Sequence, residues 1–166
     1  MVVTDLFHID LNGRKQMSAL TKHLNMLAVS EHHIQSTLAL QESISQWAAE
    51  LENDLSFATV HNEQLDISAF LKILGMKFDD NTVSLAETIC SLIKICAGFL
   101  NIRLLILTGL HSVLEEDSLN DIYKTAMYEK ISIMDIERYV PVNRLPCEKY
   151  YIIDRDMCEI YNDSDQ

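Results

Sequence analysis

The chain has 166 residues, 25 of them acidic and 13 basic, for a formal charge of −12 with 48% hydrophobic content. That length can bury one good core with an appendage, and the composition is that of a globular protein. Four glycines and two prolines leave little room for low-complexity linkers. The acidic balance argues against a nucleic-acid binder that relies on its overall charge. No apolar run approaches the roughly 20 residues that cross a bilayer, and MVVTDLFHID lacks the basic start and cleavage site of a signal peptide. The expectation is a cytoplasmic protein.

In chain order, Val2–Leu6 is a short strand candidate. Asn12 can cap a helix running to about Leu27, with Met17, Leu20, Leu24 and Leu27 at helical spacing. Residues 11–30 hold Arg14, Lys15 and Lys22 and no acid, so a basic island of +3 sits in an acidic chain. A second helix is expected from about Glu31 to Leu55, striped by Leu40, Ile44, Trp47, Leu51 and Leu55. Joined near Ser30, the two helices suggest an antiparallel pair.

The polar stretch SFATVHNEQ follows, and Asp66 then caps a short helix that Gly75 ends. A further helix runs from about Ser84 to Leu100, where Ser84 and Glu87 can form a capping box. Strand Ile102–Thr108, helix Glu115–Tyr128 and strand Ile131–Ile136 then read as a βαβ unit. A closing strand, Tyr150–Asp154, is expected to turn back through Cys158–Tyr161. The fold class is α/β: a head of mostly parallel sheet, residues 1–11 and 65–166, with a helical leg over residues 12–64.

Open sheets hold ligands at the carboxyl ends of their strands. Those ends offer Thr108-Gly109, Glu137-Arg138 and Asp154, which make no recognised catalytic set. The glycines stand singly, so no GxxxxGK[ST], GxGxxG or GxSxG exists. Cys90, Cys96, Cys147 and Cys158 show no CxxC spacing and read as reduced core thiols. His32 and His33 are adjacent, so on a helix their side chains diverge.

Two constellations carry chemistry. In AELENDL, Glu50, Glu52 and Asp54 offer the oxygens that a hard cation takes. On a continuous helix Glu50 and Asp54 share a face and Glu52 points away, so one ion could meet all three only where the helix ends. Glu63 could then fold back towards them. The plain alternative is a solvated acidic helix end. A paired-metal phosphoesterase built on these acids is disfavoured, because no His or Lys accompanies them as a proton-transfer group. The stripe Arg14, Lys15 and Lys22 is either a solubility feature or a phosphate-contacting surface, sequence-blind and salt-sensitive.

VVTDLFHIDLN, ELENDL, FLKILGMKF, RLLILTG, ISIMDIER and YYIIDRD, in that order, resemble the type II-A CRISPR accessory protein of spacer acquisition, the ring-forming Csn-type family. The resemblance covers all but the C-terminal end. It implies a non-enzymatic protein with an ATPase-like head lacking a working nucleotide site, and a helical leg. It further implies a homotetrameric ring that threads the ends of double-stranded DNA beside the CRISPR integrase and effector nuclease. Calcium is the implied cofactor, with Glu50, Glu52, Asp54 and Glu63 as metal ligands. Arg14, Lys15 and Lys22 are the implied DNA-binding residues. Family members begin with about fifty further residues that supply part of the head, so this chain is expected to be N-terminally shortened, with an unpaired sheet edge. An inactive ATPase-like interaction module that touches no DNA is the alternative.

Overall fold

A computed structural model describes residues 1–60, 62, 65–142, 144–153 and 155–160, the last without its side chain. Two compact units make up the chain: Met1–Asp10 with the residues from Asn81 onward, and Leu11–Asp80.

The first unit is the α/β head. Its elements are β1 (Val2–Val3), α4 (Leu85–Gly98), β2 (Leu104–Thr108), α5 (Leu110–Val113), α6 (Glu116–Tyr128) and β3 (Ser132–Ile136). The strands lie in the order β1-β2-β3, all parallel, with Val2 opposite Ile106 and Ile106 opposite Met134. α4 starts as the sequence predicts: Ser84 Oγ accepts from the Glu87 amide at 3.2 Å, and Glu87 Oε2 accepts from the Val83 amide at 2.8 Å. α4 and α6 pack together, and Ile89, Leu92, Ile93 and Ile122 are fully buried with Leu105 and Leu107 of β2. Burying such side chains contributes about 1.5–3 kcal/mol each, which makes this the centre of the head's stability.

Only one face of the sheet is covered in this way. On the other, Val2, Leu104, Met134 and Ile136 are between 45% and 61% exposed. Parallel sheets are normally buried on both faces.

The second unit holds α1 (Arg14–Ala28), α2 (Ile34–Asn53) and α3 (Ile67–Ile73). α1 packs on α3. Asn12 closes the unit, its Nδ2 donating to the Phe78 carbonyl (3.1 Å) while its Oδ1 accepts from the Phe78 amide (2.9 Å). α2 extends over 20 residues without burying one of them.

Several local expectations are corrected. The first strand is only Val2–Val3, because Asp5 accepts from the Phe7 amide and starts a 3-10 turn over Leu6–His8. Asn12 does not cap α1; Gly13 stands there and Asn12 is turned to Phe78 instead. α5 was not expected and exists because Gly109, at φ +81°, turns the chain sharply off β2. The closing segment forms no strand of the main sheet: β4 (Ile152–Ile153) and β5 (Glu159–Ile160) make a separate antiparallel pair. Asp154 lies outside the described residues. The four cysteines are all thiols, but Cys147 and Cys158 are exposed rather than core.

Candidate functional site

α1 is amphipathic, and its polar side carries the cations. Arg14, Lys15 and Lys22 are all exposed. A groove of about 830 Å³ runs along the helix, and Arg14 and Lys22 stand on it, eight residues or about 12 Å apart. Lys15, one residue round the helix, does not line this groove. Lys72 of α3 does, brought in by the packing of α3 on α1. Met17, Met26 and Val29 supply apolar wall, on which the aliphatic stems of lysine and arginine can lie while their charges stay in water. No carboxylate lines it among the described residues.

The cations of this unit are Arg14, Lys15, Lys22, Lys72 and Lys77. Lys77 is held by Asp80, with Nζ 2.8 Å from Oδ1, and this pairing raises the ammonium pKa and lowers that of the carboxyl. Among the described residues the other four take no ion-pair partner. Arg14, Lys22 and Lys72 are set apart by their position on one groove rather than by lacking an acid partner.

The acids of AELENDL lie at the end of α2. Glu50 and Glu52 are in its last turn and Asp54 is its C-cap. The helix does end here, but among the described residues no three His, Cys, Asp or Glu side chains come together as a metal-binding group. The last carbonyls of a helix add oxygens and negative potential at this place. Three carboxylates that do not converge nevertheless fall short of the six to eight oxygens calcium takes. Glu63 lies outside the described residues.

At the carboxyl ends of β2 and β3 a different group assembles, of which the sequence pointed to Glu137 but not to Asp135, His111 or Glu148. Asp135 lies opposite Leu107 and so projects to the helix-covered face. Its Oδ1 accepts from the Leu110 amide (3.3 Å). Burial pushes its carboxyl up to about 6; the Leu110 amide pulls the other way, and the neighbouring Glu137 adds to the rise. Glu137 Oε1 accepts from the amides of His111 (2.6 Å) and Ser112 (3.2 Å), and Oε2 accepts from Ser112 Oγ (2.7 Å). The first amides of α5, the donors a phosphate would need at this strand end, are therefore already matched to carboxylates.

Glu148 ties the cluster together. Its Oε1 accepts from Tyr123 OH (2.7 Å) and contacts His111 Nε2 (2.6 Å); its Oε2 accepts from the Leu145 amide (2.9 Å) and from Tyr150 OH. Burial alone would raise this carboxyl, but the two tyrosines, the amide and the histidine together hold it below its ordinary value. The Tyr150 ring also carries Arg144, 4.8 Å from its centre. His111 and Ser112 are engaged by different carboxylates, so they form no nucleophile–base pair. These residues, scattered from 111 to 150, carry no spacing signal; Lys72, a lone cation in FLKILG, carries none either.

A family model described as CRISPR-associated protein (Cas_Csn2) matches residues 1–157. No protein of curated function matches the chain.

Proposed function

We propose, for a chain that belongs to the Csn2 family of CRISPR-associated proteins, the role of a non-catalytic subunit that binds double-stranded DNA ends during spacer acquisition. The observation that carries this reading is the set of three cations from α1 and α3, Arg14, Lys22 and Lys72, on one groove with no carboxylate among its described lining residues. Phosphate contacts of this kind grip DNA without reading its sequence. An otherwise acidic chain of −12 repels DNA elsewhere, which confines contact to that surface. Closure of several copies, a homotetramer in this reading, would place the basic surfaces around one duplex and select free ends. The integrase and the effector nuclease are its proposed protein partners. The absence of catalysis is supported by the engagement of Ser112, His111 and the α5 amides in internal hydrogen bonds.

Calcium enters this reading only through the acidic end of α2. The donor chemistry there is that of a hard cation, oxygen alone. Further oxygens must come from outside the described residues or from a second copy, and no step of DNA binding is routed through the ion.

The test compares linear and covalently closed circular duplexes of one sequence, with Ca²⁺ and with a chelator. Calcium-dependent retention of the linear form alone is the expected result. Equal binding to both forms means surface contact and removes the ring. Lys15→Glu with Lys22→Glu should abolish binding while leaving assembly unchanged; wild-type affinity in that variant would sink the assigned surface.

A second reading, an interaction module that touches no DNA, is favoured by the bare sheet face of Val2, Leu104, Met134 and Ile136. Binding to neither duplex would turn the choice towards it.

A further inference from the structure

Residues 138–151, which follow β3 in the head, differ in charge from the acidic chain around them. They hold three cations, Arg138, Arg144 and Lys149, and one acid, Glu148. That acid is engaged internally, by Tyr123, Tyr150, His111 and the Leu145 amide. The three cations are exposed. Arg138 lies 5.5 Å from the centre of the Tyr139 ring, and Arg144 4.8 Å from that of Tyr150. A guanidinium laid on a ring is oriented by it and keeps its N–H edge for an acceptor.

The stretch also has a fixed shape. Both prolines of the chain, Pro141 and Pro146, fall within it and restrict its backbone. His111 of α5 anchors it at two points, its amide donating to Glu137 and its ring contacting Glu148. The Arg138–Tyr139 and Arg144–Tyr150 pairs are therefore held near the same end of α5. Between this stretch and α6 lies a cavity of about 410 Å³, walled by Leu114, Leu119, Val142 and Leu145. Val142 is 99% exposed, Tyr139 71% and Tyr151 72%, so the cavity opens among uncovered apolar surface. Glu115 and Glu116 line it from the α6 side.

We propose that residues 138–151 are a docking surface for an acidic segment of a partner protein. The segment sets an aliphatic or aromatic side chain in the cavity and its carboxylates on Arg138 and Arg144. Charge complementarity selects the acidic occupant, and Glu115 and Glu116 turn its carboxylates away from α6. Arginine and tyrosine around an apolar pocket are the composition of protein-binding hot spots. Phosphates alone would leave the cavity, Val142 and the exposed tyrosines unused. A surface already fixed by prolines and by Glu148 loses little freedom on binding. The inference is independent of the DNA contact proposed above.

The experiment is fluorescence anisotropy of the full chain with a labelled peptide, a Leu-Phe centre flanked by Glu and Asp. One control peptide keeps the centre and has Lys and Arg flanks; the other keeps the acidic flanks around Ser-Ser. Only the first should bind well. Arg138→Ala with Arg144→Ala should weaken it by up to about fivefold for each exposed pair lost. Val142→Asp, which puts a like charge at the cavity, should weaken it too, and Lys15→Glu with Lys22→Glu should leave it unchanged. All these positions are exposed, and circular dichroism checks that the fold is kept. No binding of the acidic peptide, equal binding of all three peptides, or wild-type affinity in the double arginine variant overturns the proposal and spares the DNA reading. Loss of duplex binding in that variant would assign the surface to nucleic acid. A fall in its oligomer content would assign the surface to a second copy, and either result also overturns the proposal.

Discussion

The two units of this chain are stabilised in different ways. In the head, α4, α6 and β2 bury a continuous set of aliphatic side chains, and the polar groups at the strand ends are matched to one another. In the unit of α1–α3 the buried side chains among the described residues are Leu11 and the polar Gln16 alone. α2 exposes Trp47 to 61% and keeps Leu38 and Leu51 about half exposed. The difference is one of burial: the head has a closed core on one face of its sheet, whereas the helices of the other unit enclose almost none. Anything that binds the folded form of such a unit adds to its stability.

Single substitutions can break that comparison. Leu107→Ala, in the fully buried heart of the head, should cost about 2–5 kcal/mol in denaturant unfolding. Trp47→Ala, despite removing the largest side chain of the chain, should change the stability of the isolated chain by no more than about 0.5 kcal/mol. Comparable losses at both positions would mean that α2 is packed in the single chain, and the contrast would disappear. A fall in oligomer content in Trp47→Ala, at unchanged unfolding midpoint, would sharpen it.

Glu148 tests the polar half of the head. Replacing it by alanine removes the acceptor of Tyr123, Tyr150, His111 and the Leu145 amide at once. Orphaned donors cost about 1–3 kcal/mol each where they stay buried, and water will reach some of them, so a net loss of about 2–3 kcal/mol is expected. Glu148→Gln, which keeps an acceptor oxygen, should lose less. An unfolding midpoint unchanged in both would show that the hub contributes nothing.

How far the sequence discloses this molecule depends on the range of the interaction. Caps and glycine stops are local and were readable: Asp66 Oδ1 does accept from the Ala69 amide, and Gly75 at φ +65° does end α3. Strand and helix order in the head follows from apolar runs that β2 and β3 retain. What escaped was set by neighbours far along the chain. Asn12 has a capping residue's chemistry, yet Phe78, 66 positions away, takes its side chain. Asp135 sits in the second apolar strand as one acid among many, and only the register opposite Leu107 turns it inward. Lys72 became a site residue because α3 packs on α1, a contact that no periodicity in FLKILG foretells. The basic stripe was legible in part: Arg14 and Lys22 share the groove, while Lys15 stands outside it.

A further predicted effect concerns Asp135 and has a sign that is easily read backwards. Its carboxyl titrates near 6 in the folded chain against an ordinary value of 3.8. Between those values the native state binds the proton more than the unfolded chain does, so this group's contribution falls as pH rises from about 4 to about 6 and is flat above. Glu148, held below its ordinary 4.5, works oppositely: its contribution is complete above that value and is lost as acid is added. Asp135→Asn keeps an acceptor for the Leu110 amide, removes the charge that burial disfavours, and offers an NH₂ to Glu137. The variant should therefore match wild type near pH 4 and gain about 1 kcal/mol above pH 6, a figure reduced for the solvent that still reaches the site. Melting temperatures across that range decide it. A variant less stable than wild type at pH 7 would mean that Asp135 is wanted as a carboxylate, and the strand end would have to be reconsidered as a cation site.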